Sequence, residues 1–121
     1  MAALTETERD CLNRYLALLA GRLGDRLVAV RLFGSAARGD MWGGHSPMHS
    51  DVDLLVVTAG AVPESEQEDL LNETYPLYLE CGRQHSPHFF SERRLADPGD
   101  ERTREFLERI EPDARVVWPA G

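Results

Sequence analysis

Leu27-Val28-Ala29-Val30-Arg31-Leu32-Phe33-Gly34-Ser35, followed after fifteen intervening residues by Asp51-Val52-Asp53-Leu54-Leu55-Val56-Val57, is the stretch on which the fold turns. Both runs are rich in β-branched and apolar residues and read as strands. The first strand breaks at Gly34-Ser35, and the second opens on an acidic pair. Side chains alternate faces along a strand, so Asp51 and Asp53 share one face. Two carboxylates held a few ångströms apart repel unless a cation lies between them. Mg²⁺ fits such a pair, because it takes hard oxygen ligands and readily keeps phosphate oxygens as the remainder. Gly34 allows close backbone approach, and the amides of the turn that follows make an anion site. A carboxylate pair facing a phosphate-binding turn is equipment for phosphoryl or nucleotidyl transfer.

Working outward, Thr5 and Glu8 form a capping box ahead of Leu12, Tyr15, Leu16, Leu19 and Leu23, which predicts a helix from Thr5 to Leu23. Ala36-Ala37-Arg38 suits one helical turn, and Gly39 to Ser50 reads as loop. Glu64 to Cys81 is helical in pattern, with Pro63 at its start and Pro76 expected to kink or divide it. His85 to Ser91 is a short strand that Pro87 assigns to an edge, a strand start or a bulge. Asp100 to Ile110 reads as a helix supported by Glu105 and Arg109 at i,i+4, and Ala114 to Trp118 as a last strand. The expectation is an α/β (α+β) chain forming one domain over residues 1–121: a small mixed β-sheet with helices packed on one side.

Composition narrows the chemistry. The chain has 121 residues, 42% of them hydrophobic, and a formal charge of −8. That balance argues against a broad basic nucleic-acid face. No apolar run is long enough for a membrane span, and the first ten residues lack a secretory pattern. All 13 basic residues are Arg, which excludes a Walker-type lysine, a Schiff-base lysine and a Ser–Lys dyad. Cys11 and Cys81 lie far apart in sequence, so buried or idle thiols in a reduced, cytoplasmic setting are expected.

The stretch Phe33-Gly34-Ser35-Ala36-Ala37-Arg38-Gly39-Asp40, with Ser50-Asp51-Val52-Asp53-Leu54-Leu55-Val56, resembles the signature of the DNA polymerase beta-like nucleotidyltransferase superfamily, and within it the minimal, antitoxin-like nucleotidyltransferases. The resemblance implies a mixed sheet and transfer of a nucleoside monophosphate, such as AMP from ATP, to a hydroxyl with two Mg²⁺ ions. By position, Gly34 and Ser35 would hold the β- and γ-phosphates and Arg38 would help neutralise them. Asp51 and Asp53 would be the catalytic metal ligands. A protein acceptor, a HEPN-type ribonuclease toxin, is the partner the resemblance implies. A homo-oligomer is compatible with it, and nucleic-acid and membrane partners are not expected.

Three departures qualify the resemblance. The segment between Ser35 and Asp51 is longer than the family pattern, as an excursion from Met41 to His49 over the site entrance. Ala36 stands where an Arg is common. The third carboxylate that active members carry on a neighbouring strand has no counterpart between His85 and Ser91, leaving Glu80, Glu92 and His88 as candidates. Two readings therefore stand: an active transferase, or a catalytically silent module that binds nucleotide or partner.

The remaining signals have plainer explanations. His45, His49, His85 and His88 lack zinc-site geometry and read as surface or core histidines. Glu64, Glu66, Glu68 and Asp69 suit the start of a helix. Trp42 either stacks on a base or covers the core.

Overall fold

The computed structural model describes residues 5–34 and 51–119. Helix α1 spans Glu6–Leu23. Its first turn is closed by the reciprocal box: the Thr5 hydroxyl accepts from the Glu8 amide at 3.1 Å, and Glu8 accepts from the Thr5 amide at 2.8 Å. Cys11, Leu12, Tyr15, Leu16, Leu19 and Leu23 form its buried stripe. A 3₁₀ turn leads into β1 (Leu27–Phe33), and β2 covers Val52–Thr58. Helices α2 (Glu64–Asn72) and α3 (Thr74–Cys81) precede β3 (His85–Ser91). Then come α4 (Glu92–Ala96), α5 (Glu101–Ile110) and β4 (Arg115–Trp118).

The four strands form a mixed sheet in the order β3-β2-β1-β4. β1 is antiparallel to both β2 and β4, whereas β2 and β3 run parallel, in register from Val52 opposite His85 to Thr58 opposite Ser91. One face, carrying Val30, Leu32, Val52, Leu54 and Val56, packs under α1 with Leu70 of α2 and Leu77 of α3. The Tyr15 hydroxyl crosses that core to donate to the Leu70 carbonyl at 2.9 Å, so its one polar atom is satisfied. The expected helical layer is this one. On the other face, Phe33, Leu55, Val57 and Phe90 meet Ile110, Phe106 and Leu107 of α5. β2 is therefore covered on both sides.

Pro76 does not divide the helical stretch. The break falls earlier, at Glu73, and Pro76 stands in the first turn of α3, where its missing N–H needs no intrahelical partner. α4 was not expected from the sequence, although Ser91 caps it by accepting from the Arg94 amide at 3.1 Å. Arg109 forms no ion pair with Glu105 among the described residues and turns to a pocket instead.

The two cysteines are not separate thiols. Cys11 and Cys81 form a disulfide between α1 and α3, with Cα atoms 6.7 Å apart and a sequence separation of 70. Sequence distance hid this pairing, because only the fold brings the end of α3 across α1. The same seam carries Arg14–Glu80 at 2.7 Å and the buried pair Arg83–Glu8 at 2.8 Å. Among the described residues, no helix is long and apolar enough to cross a membrane.

Candidate active site

The site gathers where β1 ends and β2 begins. Val52, Leu54 and Val56 point into the α1 core, which sends Asp53 to the opposite face. Asp53 stands opposite Phe33 of β1 and Ser86 of β3. Gly34, with φ of +79°, follows Phe33, and the Asp53 carboxylate lies over its α-carbon. Asp51 precedes β2 and is exposed, its Oδ2 accepting from the Ser86 hydroxyl at 2.8 Å. Burial, and then the charge of Asp51, pushes the Asp53 carboxyl up to about 6.

Parallel register also decides which β3 residues share this face. Asp53 faces Ser86 and Leu55 faces His88, so Ser86 and His88 occupy the positions beside the acidic pair. His88 Nε2 stands 4.0 Å from Asp53 Oδ1. The imidazole is packed against Phe33 and Phe106, at centroid distances of 5.5 Å and 5.6 Å, and burial lowers its pKa. Of the three candidates for the missing carboxylate, only His88 reaches the pair. Glu80 is held by Arg14, and Glu92 begins α4 beyond the far end of β3. His85 points the other way, buried beside Tyr15, since residues three apart on a strand face opposite sides.

The donor set suits a hard cation. Among the described residues no group of three His, Cys, Asp or Glu side chains is placed to hold a metal unaided. Two adjacent carboxylates are present, and burial followed by the charge of Asp51 raises the pKa of Asp53. Mg²⁺ is commonly held by one or two carboxylates with substrate phosphates and water completing its shell, so these residues fit it. Ser35, Arg38, Trp42, His45 and His49 lie outside the described residues, so Gly34 alone represents the expected phosphate-binding turn. The role of Ser86 escaped the sequence reading; the signal was the parallel register that sets it opposite Asp53.

The fold is that of a nucleotidyltransferase domain. The profile of the nucleotidyltransferase domain family matches residues 18–117, and the chain belongs to that family. It is similar to a solved structure assigned to the minimal nucleotidyltransferases, at 28% identity, TM-score 0.54 and 95% coverage of both chains. In fold it is also similar to a chain of the tri-AMPylated Shewanella oneidensis HEPN toxin in complex with MNT antitoxin, at 14% identity and TM-score 0.55, with 91% of this chain and 71% of that one covered. A chain of the MntA–HpeT toxin–antitoxin complex matches at 18% identity and TM-score 0.56, over 88% of this chain and 71% of the other. No curated protein matches the sequence.

Proposed function

We propose that this chain is a Mg²⁺-dependent nucleotidyltransferase that moves AMP from ATP to a hydroxyl on a partner protein of the HEPN toxin class. The observation that carries the reading is the placement of the Asp53 carboxylate directly over Gly34, beside Asp51. The α-phosphate would sit at the carboxylate pair, with the β- and γ-phosphates on Gly34, Ser35 and Arg38. Asp51 and Asp53 would hold Mg²⁺, which when bound neutralises the triphosphate and polarises the α-phosphorus. Gly34 leaves the space that phosphate and carboxylate share, and Ser86 fixes the Asp51 carboxylate by its hydrogen bond. The acceptor oxygen forms its bond to the α-phosphorus as the α–β bridge breaks. Pyrophosphate departs and the hydroxyl proton is released to solvent.

A protein partner is supported by an exposed apolar stripe on α2 and α3, made of Leu71, Tyr75, Tyr78 and Leu79. Glu64 and Glu68 stand beside Leu71, a rim that suits a basic partner. A silent binding module is the second reading, favoured by β3 presenting Ser86 and His88 rather than a carboxylate. One experiment separates the two. The protein is incubated with α-labelled ATP, Mg²⁺ and a HEPN-type partner, comparing the native chain with Asp53→Ala. Label on the partner, lost in the variant, supports the transferase; no label with partner binding intact in both supports the module.

A further inference from the structure

A ladder of side chains joins α1 to the end of α3. Glu8, Cys11 and Arg14 recur at intervals of three along α1 and so share one helix face. They meet Arg83, Cys81 and Glu80, in that order. The covalent rung therefore lies between two ion pairs, Glu8–Arg83 at 2.8 Å and Arg14–Glu80 at 2.7 Å. The two pairs are unlike. The Arg83 side chain is 3% exposed, and Glu8 is held from its other oxygen by the Thr5 amide. Arg14 and Glu80 are both more than half exposed, so salt screens them.

The two sulfurs of the central rung are not equally open. Cys11 is 2% exposed and belongs to the core that α1 forms with the sheet. Cys81 is the last residue of α3 and is partly exposed. Thiol–disulfide exchange needs access to one sulfur, and Cys81 is the one within reach. Accessible bridges are the exchangeable ones, whereas fully shielded bridges are structural. The position of Cys81 gives exchange something to control. Before it, α3 carries Tyr75, Tyr78 and Leu79 of the exposed apolar stripe. After it, Gly82 ends the helix and the chain enters β3, whose Ser86 donates to Asp51.

We propose that Cys11–Cys81 is a thiol–disulfide switch, worked through Cys81 by a small thiol of the glutathione class, that fixes or frees α3 and the apolar face it carries. Its effect on a partner rests on the transferase reading with a protein acceptor; the exchange itself does not. Reduction runs in two steps. A glutathione thiolate attacks Cys81 Sγ, the bond to Cys11 Sγ breaks, and Cys11 leaves as a thiolate that takes a proton. A second glutathione thiolate attacks the glutathione sulfur of the mixed disulfide, and Cys81 leaves and is protonated in turn. The bridge has gained two electrons and two protons, and two glutathiones have become one glutathione disulfide. The ion pairs on either side keep the two thiols opposed, so glutathione disulfide closes the rung again by the reverse path. Closed, the bridge suppresses openings that part α3 from α1, and a face already held in its bound shape loses less entropy on docking.

The test starts with the native chain, equilibrated over a range of glutathione to glutathione disulfide ratios. Free thiols are capped with a maleimide and counted by intact mass. Backbone hydrogen exchange is then followed in the closed and open forms. The bridge should titrate reversibly in folded protein. Relative to the amides of α5, those of Leu77 to Cys81 should exchange about tenfold faster in the open form. With glutathione disulfide, Cys11→Ser, which leaves Cys81, should take up one glutathione, and Cys81→Ser, which leaves the buried Cys11, should take up none. A bridge that yields only when the chain unfolds, or α3 amides indifferent to its state, overturns the switch, and neither result depends on a variant folding. Single variants that are glutathionylated alike overturn the route through Cys81. The HEPN-type partner should bind the closed form about tenfold more tightly than the open one. Equal binding to both forms overturns control of docking, whereas binding to neither refutes the partner reading and leaves the switch established.

Discussion

Oδ2 of Asp53 lies 2.7 Å from the point a β-carbon on Gly34 would occupy. No ordinary side chain tolerates that approach, and φ of +79° already penalises any residue but glycine. The end of β1 and the start of β2 are thus fitted to one another through the absence of a side chain.

Gly34→Ala should therefore cost about 2 kcal/mol of stability, combining the backbone penalty with displacement of the carboxylate. Urea unfolding measures the first effect. Loss of label transfer in protein still folded at the assay temperature measures the second, whereas a stability equal to the native chain would contradict the fit.

Asp53→Asn should lose activity yet gain stability in the absence of divalent cations. The native state holds the Asp53 proton up to about pH 6, well above the residue's ordinary value. Its destabilising effect accordingly sets in as pH rises from about 4 through 6 and is complete above that window. At pH 8 in EDTA the Asn variant, free of that effect, should unfold about 1–2 kcal/mol later by urea titration. Mg²⁺ should raise the melting temperature of the native chain at pH 8 and leave the variant unmoved.

His85 gives a dependence of the opposite sign. Burial, and then the charge of Arg83, holds its pKa down at about 4. Neither ring nitrogen has a well-formed hydrogen bond, the backbone of Arg83 supplying only a weak one. The unfolded chain takes up this proton first, so stability is full above about pH 6.5 and falls as pH drops toward 4. The loss attributable to this residue is about 3 kcal/mol across the window. Chemical denaturation at a series of pH values should show a shallower slope in His85→Leu.

Reduction of Cys11–Cys81 should be felt strongly, because the bridge closes a loop of 70 residues. Loop-closure arguments put its contribution near 4 kcal/mol. Guanidinium unfolding with and without dithiothreitol should resolve the difference, and the Cys11→Ala/Cys81→Ala variant should be indifferent to reductant.

Much of this was legible in the residues. Thr5 and Glu8 announce α1, and the alternation Asp51-Val52-Asp53 sets both acids on one side of β2. What stayed hidden depends on which segments meet. Cys11 and Cys81 carry no local signal for each other. Pro76 reads as a helix breaker until the break at Glu73 makes it a first-turn residue. Glu80 and Glu92 stayed candidates for the third carboxylate until the parallel register of β2 and β3 showed Ser86 and His88 in place. Arg109, expected to pair with Glu105, lines a pocket with Phe90 and Phe106 instead, a placement that the packing of α5 against the sheet decides.

β2 is covered on both faces, and the acid pair at its start has a second consequence. A slip of β2 by one residue against its neighbours would turn every side chain over, driving Asp53 into the core around Tyr15 and Leu19 while Val52 and Leu54 moved to the face that carries the site. Burying an unpaired carboxylate there costs far more than any mispaired ladder recovers. The acids thus act as spelling marks that keep the central strand in frame. Replacing both with valine would leave an unbroken apolar run from residue 51 to 57, whose frame nothing enforces, and chains free to pair in either frame are chains that aggregate.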